Sequence, residues 1–241
     1  AAAGCRVPSG LSLEQCSSEA AASYKAGLVG RAGRLADLTG GMGVDSSAFS
    51  RICGEVFYYE RDTTLAEAAE ENFVRLGIRN IHVCNTEIDA GTVLPECDWI
   101  YLDPARRAAD GTGRKVFLLE DCSPNILELL PALLAKAPHI MVKLSPMADI
   151  TMLSEKLPGI REIHVAGLDG EVKELLCIIG RESGGAPRIT AVDPGSGIPA
   201  IAFTKEEEES ARMLLSSVPA AGQIIFDPSP VITKAGCKLK K

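Results

Sequence analysis

The first stretch of this 241-residue chain with the makings of a site is Asp37-Leu-Thr-Gly-Gly-Met-Gly43. Gly40, Gly41 and Gly43 let a backbone approach a ligand where a Cβ would clash. Two nucleotide-like ligands suit such a loop. A dinucleotide needs G-x-G-x-x-G, with its pyrophosphate over a helix N-terminus. Here Gly41-Met-Gly43 runs into Val44, Asp45 and Ser46, so the third glycine is missing and Asp45 puts negative charge where phosphates would sit. S-adenosylmethionine carries no phosphate but bears an ammonium and a sulfonium, and Asp37 suits that cation. Glu60 can grip two ribose hydroxyls of either ligand. Asp37 and the lost glycine therefore decide for S-adenosylmethionine. A tight turn with no ligand is the plainer alternative, but three glycines coinciding with two strand-end acids favour the cofactor.

The second stretch is Tyr101-Leu-Asp-Pro-Ala-Arg-Arg107. Asp103 followed by Pro104 makes a rigid polar corner at the same rim as Asp37, able to take a proton or a hydrogen bond from a methyl acceptor. Arg106, Arg107, Arg114 and Lys115 add positive charge suited to a phosphate-bearing substrate, although a solvated loop with structural ion pairs would use the same residues. Lys143-Leu-Ser-Pro146 ends a later strand at that rim, its lysine facing substrate or a carboxylate. Asp121-Cys122-Ser-Pro124 holds a thiol of the kind C5-directed methylation requires, but a helix cap with a buried thiol accounts for it better.

These residues must be held by an alternation of short β-rich and longer helical runs. Ser12-Leu-Glu-Gln15 fits a capping box for a helix to Val29, broken near Ser17. Strands are expected at 35–38, 55–60, 81–84, 99–102 and 140–144, and helices to Ile52, from the Thr64 cap to Leu76, from a Ser123 cap to Lys136, and over 147–156. Strands at 162–166 and 172–180 flank the hairpin turn Gly167-Leu-Asp-Gly170. The pattern predicts a parallel α/β sheet with its last strand antiparallel. Gly, Pro and Ser thicken from Gly180 to Gly197, which reads as a linker. Beyond it come short strand-like runs, an acidic helix from Lys205, and a strand at 223–226. The expected division is an N-terminal helical segment (1–30), a cofactor-binding domain (31–182) and a small α+β appendage (183–241).

A net charge of −7 argues against a free-standing nucleic-acid clamp, though not against a local basic patch. The eight cysteines include no CxxC pair, and the three histidines (His82, His139 and His164) lie far from any paired cysteine, so no zinc site is expected. Cys53, Cys84 and Cys177 sit in apolar stretches as small core residues, which suits a reducing, cytoplasmic setting. Ala1–Gly10 reads as a cut edge, not a secretory signal.

Several blocks resemble, in order, the class I S-adenosylmethionine-dependent methyltransferases of Bacteroidetes-type bacteria that carry a THUMP-like C-terminal domain. They are Leu13–Glu19 with Tyr24-Lys25, Asp37–Asp45, Asp103–Arg107, Glu120–Pro124, Lys143–Met147 and Lys173–Leu176, and Phe226–Gly236 looks like the start of the THUMP-like core motif. The resemblance implies a Rossmann-like seven-stranded methyltransferase sheet, an RNA substrate (rRNA or tRNA) and a fragment of a longer protein. Thr39 departs from it, standing where a loop glycine is common. Asp-Pro-Ala-Arg also lacks the second proline and aromatic of amino-directed enzymes; that aromatic would stack a flipped-out base, so base N-methylation is disfavoured.

The expected cofactor contacts are Asp37, Thr39, Gly40, Gly41, Gly43 and Asp45 at the methionine end, Glu60 at the ribose, and Asn85 or Thr86 at the adenine. Ser18, Glu19 and Lys25 are expected to close over the methionine end. Asp103 and Pro104 are the expected catalytic corner, and Arg106, Arg107 and Lys143 the substrate contacts. Small-molecule methylation, a non-catalytic RNA-binding module and, more distantly, a nicotinamide enzyme are the alternatives.

Overall fold

The computed structural model describes residues 4–10, 16–106, 119–182, 185–210 and 228–236. Helix α1 (Glu19–Val29) starts at Ser18, whose hydroxyl accepts from the Ala21 N–H at 3.2 Å. The Ser12–Gln15 capping box lies outside the described residues. Strand β1 (Ala32–Asp37) turns into α2 (Val44–Phe49), and β2 (Cys53–Glu60) into α3 (Thr63–Arg75). Asp62, not Thr64, caps α3: its carboxylate accepts from the Leu65 N–H at 3.1 Å, so the helix begins two residues earlier than the threonine would allow. Then come β3 (Ile81–Asn85), β4 (Trp99–Leu102) and the short antiparallel pair β5 (Ala105–Arg106) and β6 (Cys122–Ser123). Because Ser123 is taken into β6, Asn125 caps α4 (Ile126–Lys136) in its place, accepting from the Leu127 N–H at 3.1 Å. After β7 (His139–Leu144), α5 (Ile150–Lys156) is capped by Asp149.

Strands β8 (Ile160–Leu168) and β9 (Glu171–Gly180) form the expected hairpin. Its two turn residues, Asp169 and Gly170, have φ of 53° and 79°, the left-handed pair a two-residue hairpin demands. The last elements are β10 (Arg188–Val192), β11 (Ile201–Phe203), α6 (Lys205–Ser210) and α7 (Pro230–Ala235). The strand expected at 223–226 lies outside the described residues.

The sheet runs β11-β10-β8-β9-β7-β4-β1-β2-β3, and β9 is antiparallel to both neighbours. Among the described residues it has nine strands, not the seven expected. The added pair corrects the linker reading of 180–197: β10 lies inside it and pairs parallel with β8 from Arg188 opposite Glu162 to Val192 opposite Ala166. Ile189, Ala191 and Val192 are buried there, an apolar run short enough for the flanking glycines and prolines to mask. Val231 and Ala235 of α7 join the same core as Ile163 and Val165 of β8, so the C-terminal segment shares the main core.

Side chains alternate along each strand between two apolar layers. Ala36, Ile100, Val142, Leu175 and Cys177 face α4, α5 and α7, whereas Leu35, Tyr101, Met141, Leu176 and Ile178 face α1 and α2. Burying each of the leucine, isoleucine, valine and methionine side chains among these contributes roughly 2 kcal/mol. Strand order reverses between β1 and β4, the switch point where open α/β sheets form a crevice at their carboxyl ends.

Candidate functional site

A cleft of about 820 Å³ opens at that switch point. Asp37 to Gly41 line it from the β1 turn, Glu60 to Asp62 from the end of β2, and Thr86 to Ile88 from beyond β3. Tyr101, Asp103 and Pro104 line its other end with Lys143, Ser145 and Lys173, and Cys16 and Ser17 form a wall before α1.

The glycine turn is shaped first by the protein itself. A Cβ on Gly40 would lie 2.1 Å from Cε2 of Tyr58, and one on Gly43 would lie 2.5 Å from Cζ of Phe73. These two glycines are therefore demanded by packing, a correction to the view that all three make room for a ligand. Gly41 differs: its φ is +53° and the nearest atom a Cβ would meet is the Thr39 carbonyl oxygen at 3.9 Å. Its amide donates to Glu60 Oε2 at 2.8 Å, and the Asp62 amide donates to Oε1 at 2.8 Å. The β1 turn and Glu60 thus fix each other, each carboxylate oxygen keeping a lone pair for a ligand.

Asp37 is buried and accepts from the Ser46 hydroxyl at 2.6 Å and the Thr39 amide at 3.2 Å. Burial pushes its carboxyl up to about 7 against those two hydrogen bonds, with the charges of Asp45 and Asp103 adding to the rise. A buried acid this reluctant to ionise is ready to gain a cationic partner. Thr39 has a role the sequence did not suggest: its hydroxyl accepts from the Asp103 amide at 2.5 Å and ties the two motifs together.

At the other end Lys143 Nζ pairs with Asp103 Oδ2, which resolves the lysine's two options in favour of the carboxylate. Burial works to lower the Lys143 pKa, but the adjacent Asp103 outweighs it and the net shift is upward. Asp103 is thus a neutralised, oriented acceptor of hydrogen bonds and not a bare base.

Several expected contacts fall elsewhere. Lys25 is fully buried beneath the cleft, paired with Asp45 at 3.0 Å and Glu174 at 3.4 Å. Asp45 lines the cleft but is engaged by that lysine, by Ser17 and by Tyr101. Ser18 is spent as a helix cap, and Glu19 lies in the first turn of α1, outside the lining. Asn85 donates to the Glu60 carbonyl at 2.7 Å and accepts from Thr63 Oγ1 at 2.9 Å and does not line the cleft, whereas Thr86 does. Gly43 caps α2 instead of lining the cleft. Arg106 lies on β5, and Arg107, Arg114 and Lys115 lie outside the described residues. Ser17, Glu87 and Lys173 also line the cleft; Ser17 and Lys173 fall inside the resembling blocks Leu13–Glu19 and Lys173–Leu176 without an expected contact there. Cys122 is fully buried, as a structural thiol would be.

No protein-family model and no curated protein matches the chain. Among solved structures it is similar to a candidate methyltransferase of Porphyromonas gingivalis W83, with 30% identity and a TM-score of 0.79 over 97% of this chain. It spans only 58% of that protein's length. A tRNA (m1A58) methyltransferase of Aquifex aeolicus aligns with 13% identity and a TM-score of 0.53 over 75% of this chain and 74% of that one. A T. thermophilus 16S rRNA N2 G1207 methyltransferase, solved with AdoMet and guanosine, aligns with 14% identity and a TM-score of 0.50 over 70% and 44%. These last two share the fold alone. The chain therefore has the Rossmann-like α/β methyltransferase fold, with a mixed, extended sheet.

Proposed function

We propose that this chain is the cofactor-binding part of an S-adenosylmethionine-dependent methyltransferase and that its acceptor is RNA. The observation that carries the reading is the meeting of Asp37, the open Gly41 turn and Glu60 at the switch point of a methyltransferase-type sheet. S-adenosylmethionine supplies a methyl group on a positively charged sulfur that leaves as a neutral thioether.

The chain's own residues then have distinct tasks. Asp37 offers a buried negative charge to the cationic methionine end. Glu60 directs its free lone pairs at the ribose, held by two backbone amides. Thr86 and Ile88 flank the adenine. Asp103, oriented by Lys143, accepts a hydrogen bond from the acceptor and leaves catalysis mainly to positioning. The residues after Asp103, Arg106 and Arg107, supply charge for RNA phosphates. Two of the fold relatives act on rRNA and tRNA. The free, buried thiols of Cys53 and Cys177 suit a reducing, cytoplasmic setting.

Transfer of labelled methyl groups from S-adenosylmethionine into total RNA tests the reading. Loss of signal in Asp103→Ala with retained cofactor binding is the expected outcome; incorporation only into small molecules would assign a different acceptor. The net charge of −7 favours that second reading, and salt-dependent retention on rRNA separates the two.

A further inference from the structure

Beneath the cleft, Lys25 and Glu174 are buried in a row of charges of alternating sign whose other members, Asp45 on one side and Lys143 and Asp103 on the other, line the cleft itself. Lys25 Nζ donates to Ser17 Oγ at 2.6 Å besides pairing with Asp45 and Glu174. Ser17 Oγ donates in turn to Asp45 Oδ2 at 2.9 Å, and the Tyr101 hydroxyl donates to the same oxygen at 2.8 Å. Glu174 is 4% exposed, and its Oε1 has no hydrogen-bond partner among the described residues. It lies two residues along β9 from Leu176, which is registered opposite Lys143, so both charges sit on the face that α1 covers.

Stability alone does not explain this row. Apolar side chains of similar volume would hold the same place at least as well, as Ala22, Leu35 and Met141 do beside it. What the row does hold is Ser17, in the part of the cleft wall that precedes α1, together with the first turn of α2 at Asp45.

We infer that Lys25 and Glu174 are positioning residues: without touching the ligand, they fix Ser17 and Asp45 so that the cleft is preformed. The inference rests on the reading of the cleft as an S-adenosylmethionine site. It is tested by calorimetric titration of the whole chain with S-adenosylhomocysteine in wild type, Lys25→Met, Glu174→Gln, Ser17→Ala and the Lys25→Met/Ser17→Ala double variant. Val165→Ala, in the opposite core layer, serves as a control that loses stability away from the cleft. Lys25→Met and Glu174→Gln should each weaken binding by about tenfold. Ser17→Ala should add little once Lys25 is gone, because both changes remove one shared contact. Val165→Ala should lower Tm with unchanged affinity. Should Lys25→Met fail to fold, Glu174→Gln and Ser17→Ala carry the same test. A lower Tm with affinity kept within about twofold in these variants would reduce the row to a structural ion cluster and overturn the inference. Wild type binding neither S-adenosylhomocysteine nor S-adenosylmethionine would remove the site reading and this inference with it, an outcome distinct from the former because wild-type binding itself is lost.

Discussion

The two ends of the cleft are built by different means. At the β1–β2 end, backbone does the positioning: the Gly41 and Asp62 amides hold Glu60, and Tyr58 and Phe73 enforce the glycines. At the β4–β7 end, side chains position one another, Lys143 against Asp103 and Thr39 against the Asp103 amide. The first end is rigid before any ligand arrives and suits an invariant cofactor. The second precedes Arg106 and Arg107 in the sequence and, on the function proposed above, orients a substrate as it binds.

Breaking the backbone end should do the most damage. Gly40→Ala drives a methyl group into Tyr58, which is fully buried and donates its hydroxyl to the Gly41 carbonyl. The expected cost is about 3 kcal/mol, read as a Tm lower by roughly 8 °C together with loss of cofactor binding. Gly41→Ala, with open space but positive φ, should cost only about 1 kcal/mol. Equal Tm losses in the two would show that Tyr58 can yield and that the turn is less rigid than its contacts imply.

The side-chain end should fail in turnover without failing in binding. Lys143→Met leaves Asp103 unpaired, and Asp103→Ala removes the hydrogen-bond acceptor; each should slow methyl transfer by about a hundredfold while S-adenosylhomocysteine affinity stays unchanged. Glu60→Gln should show the converse, about tenfold weaker binding with a near-normal rate at saturation. A loss of affinity in Asp103→Ala would merge the two ends into one site.

The same contrast explains what the sequence made legible. The β1 turn, Glu60 and the Asp103-Pro104 corner are local patterns, punctuated by glycine and proline, and they fall where the sequence puts them. Lys25 was misassigned because its partner Glu174 is 149 residues away, and helical spacing cannot report that burial. Ser17 and Lys173 lie in segments that the family resemblance picks out, Leu13–Glu19 and Lys173–Leu176, but a serine and a lysine there carry no local sign of facing a cleft. β10 escaped because five residues of strand inside a glycine- and proline-rich stretch leave no periodicity to read. The cap of α3 falls two residues earlier than expected, and that of α4 two residues later, since neighbouring Asp62 and Asn125 take the helix-starting amides instead.

The smallest expected effect separates the ends by pH. Asp37 is held up at about 7 from its ordinary 3.8, so its neutral form stabilises the unliganded fold. That contribution is complete below the ordinary value and is lost as pH rises through about 7. A cationic ligand over Asp37 favours the carboxylate, so binding should release a proton and affinity should climb several-fold from about pH 5.5 to about pH 8. His164, whose pKa burial lowers, gives stability the opposite slope below its ordinary 6.5, whereas Glu174, raised by burial, reinforces Asp37. Comparing wild type with Asp37→Asn cancels both and isolates the one carboxyl. The Asn variant should bind S-adenosylmethionine with little pH dependence. At the other end Lys143 is shifted upward and stays protonated throughout this range, so methyl transfer at saturating cofactor should keep the same lysine charge at pH 6 and pH 8. A pH slope that persists in Asp37→Asn binding would place the titrating group elsewhere in the cleft and dissolve the division between a poised cofactor end and a neutralised acceptor end.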